Sequence, residues 1–439
     1  MTDTLSTRSP GRTLAIDADR LWSSLMELAR IGAYDDASTG LVGVNRQSLT
    51  DADAEGRRLL VRWMEGAGLE VTVDEMGTIF GRREGSEPGL APVMAGSHID
   101  SVATAGAFDG CLGVLGALEV VRSLNDAGLT TRRPIVIAAF TEEEGVRFGT
   151  DMLGSAVAAG RLTLEYAYDL VDDAGLRFGD ELERIGFKGD RPVRLNPPHA
   201  YVECHIEQGP VLAQEGHAVG VVTGVQAISW QKVTIHGRAA HAGTTPTELR
   251  IDAGLAGAQI VVHAREMVDS GRYGRLRATV GHVATSPGLP SVVPDRAELT
   301  VDLRNPDDAH MAAAEADLAA FLEQLPAGQP GLRVETKRMA KTHQVPFDPA
   351  IQDAIAAAAA DVGHTTMRLM SGAGHDAQEI AAIAPTAMIF VRGQYDGISH
   401  NPREYSTPED CAAGISVLGT TLLRLANEAA DKPADEAAA

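Results

Sequence analysis

An α/β fold carrying an inserted α+β domain is predicted by three observations. Apolar runs of strand length alternate with Ala- and Leu-rich helical stretches from Leu59 onward, the texture changes to paired strands between about residues 225 and 338, and the first pattern then resumes. A length of 439 residues agrees with two domains, because a single hydrophobic core rarely serves more than about 250–300 residues. The expected division is 1–224 plus 339–439 for a discontinuous main domain and 225–338 for the insert.

In the main domain, Ala91–Gly96, Pro134–Phe140, Tyr201–Ile206 and Ala387–Val391 read as strands, each a short apolar run bounded by turn formers. Cys111–Ala127 and Glu409–Ala426 read as helices. In the insert, Ile228–His236, Arg277–Ala284 and Ala297–Leu303 are expected strands; Leu249–Val268, closed by Gly271, and Asp308–Leu325 are expected helices. Ala430–Ala439 is expected to be a frayed tail without chemistry, and no repeat of solenoid period is present.

Composition excludes several function classes. With 38 Lys and Arg against 60 Asp and Glu, the formal charge of −22 repels nucleic acid and anionic membrane surfaces. A small anionic substrate stays compatible, since local arginines or bound cations reverse the field inside a cleft. Met1–Pro10 lacks the apolar core of a signal peptide, and no run of about 18 apolar residues occurs, so the expected compartment is the cytoplasm. Cys111, Cys204 and Cys411 are too widely spaced for a thiolate zinc site or a disulfide framework and read as isolated core residues.

Chemistry is sought where open α/β sheets place it, just beyond the carboxyl ends of strands. Of the 13 histidines, His199, His217, His263, His310 and His364 read as surface or structurally satisfied residues. Four strand ends deliver ionisable side chains instead: Ser97-His98-Ile99-Asp100 with Phe108-Asp109-Gly110, Thr141-Glu142-Glu143-Glu144-Gly145, Glu203-Cys204-His205-Ile206-Glu207-Gln208-Gly209, and Gly397-Ile398-Ser399-His400-Asn401. Three adjacent carboxylates at Glu142–Glu144 repel one another in a cleft unless a cation lies among them. Imidazole and carboxylate donors without thiolate suit Zn²⁺, Mn²⁺, Co²⁺ or Ni²⁺ better than an all-oxygen Ca²⁺ site. Three histidines and two acids suffice for two ions, and Asp109, next to the turn-forming glycines at 106, 110, 113 and 116, is the natural bridge.

Five stretches in this order, Gly96-Ser97-His98-Ile99-Asp100-Ser101, Phe108-Asp109-Gly110, Glu143-Glu144-Gly145-Val146-Arg147-Phe148, His205-Ile206-Glu207-Gln208-Gly209 and Ser371-Gly372-Ala373-Gly374-His375-Asp376, closely resemble one enzyme group. It comprises the N-carbamoyl-L-amino-acid hydrolases, allantoate amidohydrolases and β-ureidopropionases of the aminoacylase and carboxypeptidase (M20) metallohydrolase superfamily. The resemblance spans about Asp19 to Glu428.

It implies a mixed-sheet catalytic domain with two divalent cations, Zn²⁺ or Mn²⁺ first, and an inserted lid and dimerisation domain. His98, Asp109 and His205 would hold one ion; Asp109, Glu144 and His400 would hold the other. Glu143 would be the general base, and Asp100 would fix the His98 imidazole by a hydrogen bond. His241, in Gly237-Arg238-Ala239-Ala240-His241-Ala242-Gly243, would reach across a homodimer to stabilise the oxyanion. Arg304 would clamp the substrate carboxylate, Gln208 would contact the carbamoyl group, and Gly372 and Ala373 would meet the far end of the substrate.

One departure is Ser291 in Ser291-Val292-Val293-Pro294, where the group commonly has Asn; it puts the usual carboxylate recognition in question. The implied reaction is hydrolysis of an N-carbamoyl-L-amino acid to amino acid, carbon dioxide and ammonia. Allantoate and N-carbamoyl-β-alanine are the rival substrates. A dipeptidase or aminoacylase is disfavoured by His205 and Gln208, and a catalytically silent binding module by the complete ligand set.

Overall fold

The computed structural model describes residues 12–428, so the expected tail at 430–439 lies outside them. One compact unit runs to Gly224 and resumes at Phe347; the other is Val225–Pro346. The division expected between 338 and 339 cuts through a strand, Arg333–Thr342, which pairs along Ala227–His236 and keeps the chain in the insert until Pro346. That strand escaped the sequence reading because Arg333, Lys337, Arg338 and Lys341 make it polar, as suits an exposed sheet edge.

In the first unit the strands lie in the hydrogen-bonded order Val219–Val225, Thr386–Val391, Ala200–Ile206, Val93–His98, Ile135–Phe140, Ile79–Arg83 and Glu70–Val73, and Thr366–Ser371 pairs with Val219–Val225. Thr386–Val391, Ala200–Ile206, Val93–His98 and Ile135–Phe140 are mutually parallel and buried along their whole length. Unbroken apolar runs are what a sheet covered on both faces requires. Parallel pairing also brings all four carboxyl ends to one edge, and the four ionisable stretches follow from there.

Cys111–Asp126 and Pro408–Leu425 are the covering helices, packed on these strands and on each other. Of the glycines near Asp109, Gly110 alone turns the backbone, with φ +64°, and a Cβ there would lie 2.4 Å from the His98 ring. Gly113 and Gly116 serve close packing, since a Cβ would meet the Cys204 carbonyl at 2.5 Å or Ile415 at 2.2 Å. The helix that carries Asp109 at its mouth can therefore lie directly against the strand that carries His205.

The Asp51–Gly66 helix is tied to the same edge by a buried arginine. Arg57 Nε donates to Asp53 Oδ2 at 2.7 Å, and its other nitrogens donate to the Gly77 carbonyl at 2.7 Å and Thr141 Oγ1 at 3.2 Å. The Gly77 turn is closed by Asp74, whose Oδ1 accepts the Met76 and Thr78 amides at 2.9 and 2.8 Å while Oδ2 has no hydrogen-bond partner among the described residues. Burial pushes the Asp74 carboxyl up to about 7. A carboxyl raised above its unfolded value binds its proton more tightly when folded, so stability is greatest below the unfolded pKa of about 4 and falls as pH rises through about 7. Asp74→Asn is expected to flatten that slope, read as the urea midpoint from pH 4 to 8; an unchanged slope would remove Asp74 as its source.

The insert is a four-stranded antiparallel sheet in the order Arg277–Ser286, Arg296–Asn305, Ala227–His236, Arg333–Thr342. In Arg296–Asn305 every second residue is buried, and Ala297, Leu299, Val301 and Leu303 join a core with Ala256 and Ile260 of one helix and Met311, Leu318 and Leu322 of another. The first of these helices is Ala253–Asp269, not a helix from Leu249, because Asp252 caps it by accepting the Leu255 amide at 3.0 Å. Thr247–Leu249 is a separate single turn, and the second helix, Asp308–Gly328, runs past Leu325. All three cysteines are buried and free, and among the described residues no helix is long and apolar enough to cross a membrane.

Candidate active site

The edge defined by the parallel strands gathers His98, Asp109, His205, Glu143, Glu144 and His400. Ligand atoms of His98, Asp109 and His205 lie within 4.8 Å of one another, as do those of Asp109, Glu144 and His400. Asp109 is common to both groups. Its Oδ1 faces His205 Nε2 at 3.1 Å and His98 Nε2 at 3.6 Å, while Oδ2 faces His400 Nε2 at 3.4 Å. Glu144 Oε2 lies 3.3 Å from His400 Nε2.

Which nitrogen is available follows from the carbonyls. His98 Nδ1 lies 3.0 Å from the Asp100 carbonyl and His205 Nδ1 lies 2.9 Å from the Ile206 carbonyl. A carbonyl only accepts, so Nδ1 carries the proton in both rings and Nε2 of the neutral ring presents a lone pair. His205 Nε2 accepts the Gly110 amide at 3.1 Å and also faces Asp109 Oδ1, while His98 Nε2 faces oxygens of Asp109 and Glu143; a lone pair set against a carboxylate oxygen is repulsive, and a cation between them relieves it. The residues therefore fit divalent cations in donor type, tautomer and convergence.

Electrostatics agrees. Burial alone would raise the Asp109 carboxyl, but the imidazoles of His205, His400 and His98 that face it outweigh burial and hold Asp109 well below the usual carboxylate range. Burial, then the neighbouring Asp109, pushes Glu144 up to about 8. The hydrogen bond to Asp109 carries His400 up to about 9 against its own desolvation. Negative charge is crowded here beyond what the three imidazoles neutralise without cost, which is the condition a bound cation relieves.

The three glutamates separate by role. Glu142, at φ +59°, turns inward and accepts the Phe148 amide at 3.0 Å, and burial pushes it up to about 8. Glu144 joins a ligand group. Glu143 joins neither, yet its Oε2 is 3.5 Å from His98 Nε2. Asp100 bonds the His98 imidazole through its main-chain carbonyl, while its carboxylate, 3.8 Å from the ring, accepts the Glu143 and Glu144 amides at 3.4 and 3.3 Å. It aims the Glu143–Glu144 segment and the ring together.

Gln208, at φ +54°, donates from Nε2 to Asp109 Oδ2 at 2.8 Å, and its Oε1 has no hydrogen-bond partner among the described residues. Ser371 ends a strand, and Gly372 and Ala373 follow it; Ser371 Oγ accepts the Ala373 amide at 3.1 Å and lies 2.9 Å from His375 Nε2. The His375 ring stands 4.5 Å from that of His205. Of the seven non-glycine residues with positive φ among the described residues, Glu142, Met152, Gln208 and His400 lie at or beside this site, so strained backbone concentrates where side chains must be aimed.

Three expected residues belong to the insert and are placed within it. His241 is exposed in a two-residue strand paired with Val292–Val293, and its Nδ1 accepts the Gly243 and Thr244 amides at 3.0 and 3.2 Å. Its proton therefore sits on Nε2. Ser291 accepts the Ala242 amide through its main-chain carbonyl at 2.9 Å. Arg304 forms a paired contact with Asp302, Nε to Oδ1 at 3.2 Å and Nη2 to Oδ2 at 3.1 Å, and its guanidinium lies 5.8 Å from the Trp230 ring centroid.

The contacts of other residues around the site were not legible in the sequence. Glu203 is fully buried and accepts from Ser97 Oγ at 2.7 Å and the Ala377 amide at 2.8 Å, joining two motif segments behind His205. Arg46 donates to the Ile99 carbonyl at 2.8 Å and Cys111 Sγ at 3.0 Å, clamping the segments that carry His98 and Asp109. Glu207, the acid beside His205, is occupied in capping the Val211–Glu215 helix through the Val211 and Leu212 amides.

Comparison with known proteins agrees with this geometry. Residues 94–424 match the family described as peptidase family M20/M25/M40. An N-carbamoyl-L-amino-acid amidohydrolase of Rhizobium meliloti is 44% identical over 423 residues, 95% of this chain and 99% of that protein. A ureidoglycolate hydrolase of Arabidopsis thaliana is 34% identical, covering 94% and 87%. The crystal structure of an amidase of the hydantoinase/carbamoylase family from Burkholderia multivorans superposes with a TM-score of 0.87 at 44% identity, covering 94% of this chain and 99% of that one.

Proposed function

The chain belongs to peptidase family M20/M25/M40, and on that footing we propose that it hydrolyses the ureido C–N bond of an N-carbamoyl-L-amino acid. The observation that carries the reading is the pair of ligand groups sharing Asp109, with the non-ligand Glu143 beside them. The relatives support it, since an N-carbamoyl-L-amino-acid amidohydrolase matches at 44% over nearly the full length.

We assign one cation to His98, Asp109 and His205 and a second to Asp109, Glu144 and His400, Zn²⁺ or Mn²⁺ first, with Co²⁺ or Ni²⁺ compatible. When bound, they supply Lewis acidity, polarising the ureido carbonyl and lowering the pKa of water. Glu143 takes a proton from the attacking water as its oxygen bonds to the ureido carbon. It then passes that proton to the departing nitrogen as the C–N bond breaks. The carbamic acid released decomposes to carbon dioxide and ammonia, so one water is consumed for amino acid, carbon dioxide and ammonia.

His241 serves as oxyanion donor. With Nδ1 occupied by two amides, Nε2–H is the group it can offer, and losing one such donor costs about 10²–10³ in rate. We assign it to the partner's site in a homodimer. Mixing His241→Ala subunits with Glu143→Gln subunits should then restore part of the activity in heterodimers; absence of rescue under verified subunit exchange would contradict sharing.

Arg304 receives the substrate carboxylate, held flat for a bidentate contact by Asp302 on the same strand face. Arg304→Ala is expected to raise KM by about 10–100-fold, the equivalent of a hydrogen bond to a charged group worth about 1.5–3 kcal/mol, with a smaller change in kcat. An unchanged KM would take Arg304 out of substrate recognition.

The decisive assay is ammonia release with N-carbamoyl-L-amino acids, N-carbamoyl-β-alanine, allantoate and ureidoglycolate in parallel. Highest kcat/KM for a carbamoyl-L-amino acid is the expected outcome; preference for another ureido acid would move the assignment within the group, and turnover of dipeptides alone would overturn it.

A further inference from the structure

The shared ligand has its own support. Glu404 is 5% exposed and lies four residues beyond His400. Its Oε1 accepts the main-chain amides of both Phe108 and Asp109, at 3.0 and 3.1 Å. Its Oε2 is 2.7 Å from Ser399 Oγ, and that hydroxyl is also 2.9 Å from Asp109 Oδ2, so its single proton is shared between the two acids. The backbone is moulded around this side chain: a Cβ at Gly106 would lie 2.5 Å from Glu404 Cβ and 2.7 Å from Oε1.

Burying one acid beside another is unfavourable, so packing does not account for a carboxylate here. Its contacts do. A carboxylate can serve both ligand groups only if Oδ1 faces His98 and His205 while Oδ2 faces His400, and that split is lost if the residue rotates or its backbone shifts. Glu404 fixes the backbone by two hydrogen bonds, and Ser399 and Gln208 fix Oδ2 at 2.9 and 2.8 Å. Because His400, Ser399 and Glu404 share one loop, the segment that supplies a ligand of one group also sets the geometry of the other.

We propose that Glu404, acting with Ser399, is the positioning residue for Asp109, holding its backbone and one carboxylate oxygen so that a single side chain spans both metal-ligand groups. This rests on the metallohydrolase reading above.

The test is Co²⁺ binding to the full-length chain, measured by competition with a chelator and by the visible absorption of the Co²⁺-loaded protein, with kcat and KM alongside. Glu404→Ala is expected to weaken binding by about 10–100-fold, the usual effect of losing such a support, to alter the visible bands and to lower kcat with KM little changed. Glu404→Gln keeps an oxygen for the two amides and a nitrogen that donates to Ser399, and should recover most of the affinity and the spectrum. Ser399→Ala leaves the backbone tether intact and should alter the bands with a smaller loss of affinity; it carries the test if Glu404→Ala does not fold.

Folded Ser399→Ala and Glu404→Ala proteins with wild-type affinity and bands would overturn the positioning role alone. A wild-type chain that takes up no Co²⁺ would overturn the metallohydrolase reading beneath it.

Discussion

Glu143→Gln is expected to lower kcat by about 10²–10⁴-fold, the usual share of a general base, while the purified protein keeps its full metal content. The two readouts separate because Glu143 stands outside both ligand groups although it adjoins Glu144 and lies 3.5 Å from His98 Nε2. Glutamine is isosteric and can still donate or accept a hydrogen bond, but it cannot carry a proton from water to the leaving nitrogen. Its main chain stays held by Asp100, so the neighbouring ligand Glu144 is not displaced. KM should change little, since the lost interaction belongs to the transition state. Ammonia release and elemental analysis of the same preparation check this; retention of most activity would remove Glu143 from proton transfer.

The second large effect is on metal content itself. Asp109→Ala should abolish activity and both bound cations together, because Asp109 belongs to both groups, whereas His205→Ala and His400→Ala should each weaken one and leave the other measurable. Chelation of the wild-type enzyme should abolish ammonia release, with recovery on adding back Zn²⁺, Mn²⁺, Co²⁺ or Ni²⁺ identifying which ions serve. Equal residual metal in Asp109→Ala and His400→Ala would contradict the shared role, and activity surviving verified metal removal would contradict the mechanism.

Much of this was legible because the chemistry sits at the ends of buried parallel strands. Val93–His98, Ile135–Phe140, Ala200–Ile206 and Thr386–Val391 are apolar enough to read as strands, and His98 and His205 stand near their carboxyl ends with Glu144 and His400 beyond them. Asp109 was legible for a different reason, the Gly110 turn at the mouth of a helix. What stayed hidden depends on partners far away in sequence. Glu404 reads as one acid in a polar loop until folding brings Phe108 and Asp109 to it, and Glu203 reads as a strand residue until Ser97 and Ala377 arrive. The hydrogen bond of Asp100 to His98 was legible from their spacing, but which Asp100 oxygen makes it is decided by the backbone. The strand Arg333–Thr342 was hidden by its charge, because an edge strand need not look apolar.

The most direct test of the shared-carboxylate site is anomalous diffraction from crystals of active enzyme loaded with the metal that supports turnover. Two peaks are predicted, one contacted by His98 and His205, the other by Glu144 and His400, and both touching Asp109. Peaks elsewhere, with these five side chains in contact with no metal, would contradict the account.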